Sequence, residues 1–561
     1  MTPTISIQGE WEKIISGTQR TRLEQEVLPE YFPRQRWFAG KSRGIEWVQI
    51  EDSTPPGALP GLTFLVWARV CYHDGGHDLY LLPLAIVTGD AASRLRNEHS
   101  TAVLAVLRRD GEEAVLHDAL ADRASSQGLL SLIEHELSLT TEDASVRGMA
   151  TRAFRVLRGP GRAVLPAQPR SLEQSNSAVQ FGDRLLLKLF RRLERGVNPD
   201  FEIGRFLSER TDFRATPLVA GALEYRVPGR DPTTIGLLQG LVPNQGTAWE
   251  QALRELHVYY REAVEKPEPP EGPHGETWLE LAAANPPPRI EEMLGFSLKS
   301  ASLLGRRTAE LHRALASDRK DPAFAPESIV ADDLRQIADE TQNQADRAIA
   351  ALKESLDGLA DPVREQAEIL MDATETSLQQ LGELPRIDIQ AEKIRCHGDY
   401  HLGQVLWADH DFVILDFEGE PARPLADRRA KQPALRDVVG MLRSYDYAAY
   451  AGLFAEADGD AGLTERLLPW AQCWSQWVSA AFLKSYLHQS AGAGFVPEDP
   501  LAMLALLRVL LLDKAYYELL YELNNRPSWV PIPLQSLLSL VETAPAGVAA
   551  SRTADRGARR P

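Results

Sequence analysis

This chain of 561 residues has few cysteines, no long apolar run and no surplus of positive charge. Its 3 cysteines, Cys71, Cys396 and Cys473, lie far apart, without the paired spacing of a disulfide framework or a zinc site. No run of about 18 apolar residues occurs, and the start lacks the basic and apolar regions of an export signal. The sequence therefore predicts a protein of the reducing cytoplasm without a membrane partner.

The charge balance excludes a further class of partner. Acidic residues number 79 against 61 basic ones, so the net charge is −18. This surplus of negative charge repels the phosphate backbone of nucleic acids, which are therefore not expected as partners. With 44% hydrophobic and 25% charged residues, the composition is that of an ordinary globular protein. The length favours three or four domains or lobes.

Hydrophobic patterns divide the chain into regions of different character. Residues 1–95 combine a polar helical start with strand-like runs, which predicts a small α+β unit. Apolar residues recur at helical spacing within 246–390 and again at 501–523. Residues 544–561 are small, polar and basic, and this composition predicts a tail that builds no core.

A β-hairpin is predicted at residues 177–190, with Gly182-Asp183 as a two-residue turn. Strand alternation places Lys188 among apolar neighbours, so its ammonium needs an anionic partner unless the side chain reaches water. Glu202 is the candidate partner, in the first turn of a helix that starts at Asn198-Pro199. A first-turn glutamate favoured by the helix dipole is the alternative explanation.

The segment that carries chemistry lies between Cys396 and Pro421, where two short apolar strands bracket polar residues. Asp399, Gln404 and Asp416 stand out by their spacing. Phosphoryl transfer needs a carboxylate that orients the acceptor and oxygen ligands for Mg²⁺. Kinases supply them as Asp, four residues and Asn in one loop, followed by an Asp after a hairpin. The spacing matches this pattern, with Gln404 in the place of Asn.

Two other interpretations of this segment stay open. His397, Asp399 and His401 alternate along the chain and could ligate zinc or a pair of metal ions in a hydrolase. Such a site normally needs further ligands from other loops, and it gives Gln404 and Asp416 no role. A glycine beside polar residues also occurs in loops that only form a turn.

The order of these motifs resembles the aminoglycoside-phosphotransferase and sugar-kinase branch of the protein-kinase-like fold, and more narrowly the maltokinase family. The segments that carry the resemblance are Gln35–Lys41, Glu173–Ser177, Val242–Gly246, His397–Gln404, Asp416–Pro421 and Tyr521–Pro527. The resemblance implies an α+β, bilobal kinase-like fold with four parts. These are an N-terminal cap subdomain (1–95), an N-lobe with an intermediate subdomain (96–245), a large helical C-lobe with the catalytic loop (246–543) and a flexible tail (544–561).

The resemblance also implies roles for the motif residues. Asp399 would orient the sugar hydroxyl and accept its proton, while Gln404 and Asp416 would hold Mg²⁺. A neutral Gln oxygen is a weaker ligand than a carboxylate, so the metal would depend mainly on Asp416 and on oxygens of ATP.

For the nucleotide, the resemblance implies that Lys188 contacts the ATP phosphates and that Glu202 fixes the lysine. No G-x-G-x-x-G motif precedes the hairpin. The phosphates would instead be approached by the hydroxyls and amides of Ser175, Asn176 and Ser177. The connection from Gln239 to Val242 would hold the adenine through backbone groups.

For the sugar, Tyr517 and Tyr521 lie one helical turn apart and Arg526 follows the helix end, a set able to stack on a ring and bond hydroxyls. An aromatic core stripe is the alternative. Arg423 and Arg428 would neutralise phosphate or brace the acidic loop before them, with surface salt bridges as the remaining alternative.

The activity that the resemblance implies is ATP-dependent phosphorylation of maltose to maltose 1-phosphate, in the service of α-glucan (glycogen) synthesis. The main rival within enzymes is a kinase of another sugar or aminosugar. Since the resemblance extends to chains fused to trehalose synthase, association with such an enzyme is also expected. A non-catalytic partner of a trehalose synthase is the rival from another class, and the intact Lys188, Asp399 and Asp416 argue against it.

Overall fold

The computed structural model describes residues 2–160, 164–170, 176–266, 268 and 277–542. Ser175 of the expected phosphate loop and the expected tail at 544–561 lie outside these residues. The chain divides into two compact units, one of residues 1–243 with 421–428 and one of residues 244–420 with 429–561. The domain boundaries expected from the sequence at 95 and 245 stay predictions.

The first unit opens with a 7-stranded sheet in which one strand pair, β1 with β5, is parallel. Its strands are β1 (Thr4–Ser6), β2 (Ile45–Ser53), β3 (Leu62–Tyr72), β4 (His77–Thr88), β5 (Val103–Arg109) and β6 (Glu112–Asp118). Their order is β1-β5-β6-β4-β3-β2, and a short later strand adds to β4. This sheet continues past the expected boundary at residue 95.

Side chains of β3 alternate between two hydrophobic cores. Phe64 and Val66 belong to a core that also holds Trp37 and Phe38. Leu65 and Trp67 face a second core. Because both faces of the sheet are covered, β3 is buried almost continuously rather than at every second residue.

A second sheet in this unit is antiparallel throughout and also has 7 strands. Its strands are β7 (Ser138–Thr140), β8 (Ser145–Ala150), β9 (Ala167–Arg170), β10 (Asn176–Phe181), β11 (Leu185–Phe190), β13 (Val219–Arg226) and β14 (Thr233–Gly240), while β12 (Arg192–Leu193) pairs with β4. Leu187 and Leu237 share the second core with Trp67, so the two sheets are joined by packing. The helices of the unit are α1 (Gly17–Arg22), α2 (Leu28–Tyr31), α3 (Gly89–Glu98), α4 (Arg123–Glu134), α5 (Phe154–Arg158) and α6 (Pro199–Arg210).

The predicted hairpin is formed by β10 and β11, but its turn differs from the expectation. Phe181 pairs with Leu185, so the loop has the three residues Gly182, Asp183 and Arg184 rather than two. Gly182 has a φ of 57°, and Asp183 is not among the residues with positive φ. A two-residue I′ turn requires positive φ at both central residues, which explains why Gly182-Asp183 does not close the hairpin alone.

The second unit is largely helical, as the apolar spacing predicted. Its helices are α7 (Ala248–Val264), α8 (Trp278–Ala283), α9 (Pro288–Leu315), α10 (Ala331–Ser355), α11 (Asp361–Gln379), α13 (Leu435–Ala457), α14 (Ala461–Ser490), α15 (Pro500–Asn525) and α16 (Pro531–Glu542), and α12 (Leu425–Arg429) spans the boundary between the units. Helix α9 packs on α14, and α13 packs on α7, α14 and α15.

Small sheets in this unit support the chemical segment. A three-stranded sheet contains β15 (Glu327–Ser328), β16 (Glu392–Ile394) and β19 (Gln432–Pro433). A separate hairpin consists of β17 (Val405–Ala408) and β18 (Asp411–Ile414). The sheets and helices together confirm the predicted α+β class. Within the described ranges, none of the helices has the length and apolar character required to cross a bilayer.

Candidate active site

The loop that begins at His397 is held through its backbone by a buried carboxylate of α13. Asp437 accepts the N–H of His397 at 2.7 Å and the N–H of Gly398 at 2.9 Å. Its Oδ2 also lies 3.0 Å from Nε2 of His312 on α9. Burial opposes the charged form, but the hydrogen bond from His312 and the other donors hold the pKa of Asp437 below its usual range. A charged acceptor thus anchors the start of the loop.

The position of Gly398 explains why glycine stands in the His-Gly-Asp motif. Its φ is 83°, and a Cβ at this position would lie 3.2 Å from Cα of Gly419. A larger residue would be strained by its backbone conformation and crowded by the neighbouring chain. The turn therefore depends on glycine and brings the loop close to the segment after Asp416.

His397 is committed to the structure of the loop. It is buried, its Nε2 donates to the carbonyl of Leu415 at 2.7 Å, and its Nδ1 accepts the N–H of Asp399 at 3.4 Å. Both ring nitrogens are therefore engaged by backbone groups, which leaves no lone pair for a metal ion. This geometry argues against the alternating His-Asp-His metal site.

Asp399 has a neutral imidazole as its neighbour. Nδ1 of His401 accepts the N–H of Gly403 at 3.1 Å, so we place the ring proton on Nε2, which lies 3.9 Å from Oδ2 of Asp399. Desolvation lowers the pKa of His401 in spite of the nearby Asp399 charge. The lowered pKa of His401 favours its neutral form, so no cationic imidazole lies beside the carboxylate of Asp399.

The two expected metal ligands, Gln404 and Asp416, flank the β17–β18 hairpin. Asp409 and His410 close it with φ values of 50° and 60°, the combination that an I′ turn requires. Leu415 donates its N–H to the carbonyl of Gln404 at 2.9 Å, which fixes Gln404 beside the residue that precedes Asp416. Asp416 itself has a φ of 64°, an uncommon value for a residue other than glycine. Strain of this kind is typical of functional positions.

Two of the residues expected to bind sugar are found on α15 of the same unit. The Tyr517 hydroxyl donates to Glu420, and burial together with this carboxylate raises the pKa of Tyr517. The charge of Asp399 also acts on Tyr517, which places the tyrosine near the catalytic loop. Tyr521 is 45% exposed, so it is not a core residue. That these rings contact sugar stays a prediction.

Arg526 and Arg428 are both engaged in ion pairs. Arg526 bonds Glu522 at 2.6 Å and its guanidinium carbon lies 5.4 Å from the Tyr521 ring centroid. Arg428 bonds Glu194, and its Nε donates to the carbonyl of Arg423 at 3.1 Å. The side chain of Arg428 is 7% exposed. The bond to the Arg423 carbonyl ties Arg428 to the segment after the acidic loop. Both the bracing role and a substrate role for Arg428 stay predictions.

In the first unit, Lys188 is paired with a carboxylate that the sequence analysis did not single out. Its Nζ donates to Oδ2 of Asp200 at 3.0 Å, and both residues are buried. The alternative in which the lysine reaches water is therefore wrong, because only 7% of Lys188 is exposed. The pairing of Lys188 with Glu202, two residues further along α6, stays a prediction.

The remaining nucleotide residues expected from the sequence are also in the first unit. Asn176 and Ser177 open β10, opposite Phe190 and Leu189. Gln239 lies in β14, opposite Leu186 of β11. Val242 follows Leu241, whose N–H donates to the carbonyl of Arg184 at 2.7 Å. The binding of phosphate and adenine by these residues stays a prediction.

Sequence reasoning missed the residues that anchor these groups. Asp437 lies in a mostly apolar helix, α13, directly before Val438 and Val439, and a carboxylate beside apolar residues was the available signal. Asp200 follows the Asn198-Pro199 helix start directly, which makes it a first-turn acid as plausible as Glu202. Arg191, treated below, is an arginine at the end of an apolar strand.

Comparison with known proteins identifies the N-terminal region. Residues 31–122 match the maltokinase N-terminal cap domain. This region is similar to the maltokinase cap. This confirms the resemblance inferred from the motifs, and the match lies mostly on the first sheet and its Trp37-Phe38 core.

Curated relatives cover much of the chain. A glucosamine kinase of Streptacidiphilus jiangxiensis is 26% identical over 375 residues, which is 66% of this chain and 72% of the relative. A glucosamine kinase of Mycolicibacterium smegmatis is 25% identical over 396 residues, which is 69% of this chain and 83% of the relative.

Solved structures share the fold. A glucosamine kinase (crystal form B) matches with a TM-score of 0.60 at 19% identity, over 95% of this chain and all 100% of that one. A glucosamine kinase in complex with glucosamine, ADP and inorganic phosphate matches with a TM-score of 0.56 at 20% identity, over 85% of this chain and 92% of that one. The chain therefore has the predicted α+β kinase-like fold with an N-terminal cap, and the relatives support a phosphotransferase.

Proposed function

We propose that the protein transfers the γ-phosphoryl group of ATP to maltose and forms maltose 1-phosphate for α-glucan synthesis. The observation that carries the maltose assignment is the maltokinase cap domain at residues 31–122. ATP as donor is supported by the relative that binds ADP and inorganic phosphate. The catalytic loop adds a carboxylate, Asp399, whose histidine neighbour, His401, has a lowered pKa.

The chemistry assigned to this chain is the orientation and deprotonation of the acceptor. Asp399 accepts the proton of the attacking sugar hydroxyl. His401 is neutral with its proton on Nε2, and this nitrogen lies 3.9 Å from Oδ2 of Asp399. Tyr517 keeps its proton because its pKa is raised, so it donates to Glu420 and orients that carboxylate as an acceptor for a sugar hydroxyl.

The donor set at the hairpin fits Mg²⁺. Asp416 contributes a carboxylate and Gln404 an amide oxygen, and hard oxygen ligands are those that Mg²⁺ binds. The backbone bond from Leu415 to Gln404 keeps Gln404 beside the residue that precedes Asp416. When bound, the metal neutralises charge on the transferred phosphoryl group.

Incubation of the protein with Mg-ATP and a panel of maltose, glucosamine, glucose and trehalose, followed by phosphorus NMR of the products, tests the proposal. Maltose should be turned over to an anomeric phosphate, and Asp399→Asn should remove the signal. No product from maltose together with turnover of glucosamine would refute the maltose assignment and establish an aminosugar kinase instead. That second candidate is favoured by the glucosamine kinase relatives.

Two further proposals follow from the maltokinase assignment. We place the protein in the cytoplasm, and we propose that it associates with a trehalose synthase that supplies its substrate. Co-purification with a trehalose synthase from the same cells, with and without Asp399→Asn, separates binding from catalysis. Binding without any kinase activity of the parent protein would favour the non-catalytic partner.

A further inference from the structure

The aromatic motif Gln35–Lys41 has no place in the proposed reaction, yet its Trp37 packs on a buried cation. Arg191 is 2% exposed, and its guanidinium carbon lies 4.8 Å from the Trp37 ring centroid. Nη2 of Arg191 donates to Oδ2 of Asp118 at 2.6 Å. Trp37 and Asp118 both belong to the region that matches the maltokinase cap. The cap thus holds the guanidinium by a ring face and a carboxylate.

The same guanidinium reaches the hairpin that is proposed to bind phosphate. Nε of Arg191 donates to Oγ of Ser177 at 2.8 Å. Because the arginine occupies a lone pair of the hydroxyl, the proton of Ser177 stays available for an acceptor such as a phosphate oxygen. One side chain therefore joins the cap to a residue of the expected phosphate loop.

The backbone makes a second link at the same point. The carbonyl of Arg191 accepts the N–H of Leu81 at 2.8 Å, and the next two residues form β12 against β4. The strand that carries Lys188 therefore continues directly into the cap sheet. Arg191, which directly follows this strand, is fixed through both its backbone carbonyl and its side chain.

Asp118 is itself held in place by other contacts, so it fixes the orientation of the Arg191 guanidinium. Its Oδ2 also accepts the Tyr31 hydroxyl at 3.4 Å, and its Oδ1 accepts the N–H of Leu120 at 3.1 Å. A planar guanidinium can bond Asp118 and Ser177 and stack on Trp37 at once. The point charge of a lysine ammonium cannot make all three contacts in one geometry.

We infer that the cap domain fixes the phosphate-binding hairpin through Arg191, which makes Arg191 a positioning residue for Ser177 and the cap a part of the nucleotide machinery. The inference rests on the proposed use of ATP and on the phosphate contact that the resemblance implies for Ser177. It assigns to the cap domain a task in nucleotide binding, separate from the choice of sugar.

The test compares Arg191→Lys with Arg43→Lys. Arg43 is a matched control, because it lies 3.9 Å from the ring centroid of Tyr72 and bonds Asp74 at 2.7 Å within the cap. Each variant is measured for ATP KM, sugar KM, kcat, melting temperature and hydrogen exchange of the amides of 176–181. Arg191→Lys should raise the ATP KM about tenfold and speed exchange in 176–181, while the sugar KM stays within about twofold. Arg43→Lys should change neither quantity.

A double variant separates positioning from general destabilisation. If Arg191 acts through Ser177, Arg191→Lys should have little further effect on the ATP KM once Ser177 is alanine. Fully independent effects of the two substitutions, or equal behaviour of Arg191→Lys and Arg43→Lys, would overturn the inference. An unchanged ATP KM in Ser177→Ala would also overturn it, while turnover of maltose would leave the proposed function standing. Conversely, if maltose is not turned over but Arg191→Lys still raises the ATP KM, only the assignment of maltose as substrate would be refuted.

Discussion

The loop that begins at His397 in the second unit and the β10–β11 hairpin of the first are anchored by different kinds of contact. The loop is held through backbone N–H groups of His397 and Gly398, which donate to Asp437. The hairpin is held at Ser177, whose side-chain hydroxyl accepts a hydrogen bond from the side chain of Arg191. Both anchors are buried and both use a charged group.

This difference decides what each segment is free to do. A backbone anchor leaves the side chains of Asp399 and His401 available to substrate, and it works for any residue with an N–H group. A side-chain anchor depends on the identity of Ser177 and Arg191, and through Arg191 on the cap. The loop is thus anchored to α13 without use of its side chains, whereas the anchor of the hairpin depends on the side chain of a neighbour.

The largest loss of activity is expected from a substitution that removes the proposed catalytic carboxylate and leaves both anchors unchanged. Asp399→Asn should lower kcat roughly 10²-fold to 10⁴-fold, because the acceptor hydroxyl loses its base. Binding of Mg-ATP, measured by calorimetry, should stay near that of the parent. Activity within a few-fold of the parent would contradict the assignment of Asp399.

Asp437→Asn breaks the anchor of the loop. Loss of the charged acceptor for two backbone donors and His312 should cost about 1.5–3 kcal/mol of unfolding free energy and lower kcat. Urea unfolding and kinetics at neutral pH measure the two effects. Normal kcat in a destabilised protein would show that Asp437 supports the fold but not the geometry of the loop.

The same variant predicts a pH dependence. The pKa of Asp437 is depressed in the folded protein, so its stabilisation is present above the unfolded pKa of about 3.9 and is lost as pH falls through the lower folded value. The stability gap between the parent and Asp437→Asn should therefore shrink as pH falls below about 4. Urea titrations at several pH values measure this gap, and a gap that widened on acidification would contradict the prediction.

Substitution of two neighbouring carboxylates on α6 tests which of them supports Lys188. Asp200→Asn removes the charge 3.0 Å from the ammonium and should reduce kcat/KM for ATP about tenfold. Glu202→Gln is the matched variant on the same helical turn. Steady-state kinetics at varied ATP compare the two, and a larger loss in Glu202→Gln would restore the partner expected from the sequence.

The smallest effect is expected at the exposed edge of the proposed sugar site. Tyr521→Ala should raise the maltose KM several-fold and leave kcat and melting temperature similar, since the ring is 45% exposed. Tyr516→Ala is its core control, fully buried on the same helix, and should cost about 3–5 kcal/mol of stability. An unchanged maltose KM in Tyr521→Ala would remove Tyr521 from the sugar site.

The catalytic segment could be predicted because its parts are close together in the chain. Asp399, Gln404 and Asp416 lie on one loop and one hairpin, so their spacing alone brings them near each other. The helices of the second unit followed from apolar periodicity. The turn of the β10–β11 hairpin was wrong by one residue, because backbone dihedrals at Asp183 rather than residue type settled its length.

The sequence by itself therefore determined the α+β class and the hairpin that carries Lys188, since these depend on local periodicity. The catalytic role of Asp399 stays a prediction from the spacing of its motif. The tertiary structure alone decided which groups hold the hairpin and the loop. Asp437 is 40 residues from His397, and Asp118 is 73 residues from Arg191. Asp200 and Glu202 differ by about 200° around one helix axis, so packing selects which carboxylate meets Lys188. A buried charge takes its partner from whatever element folds against it, and that choice is not written in its neighbours along the chain.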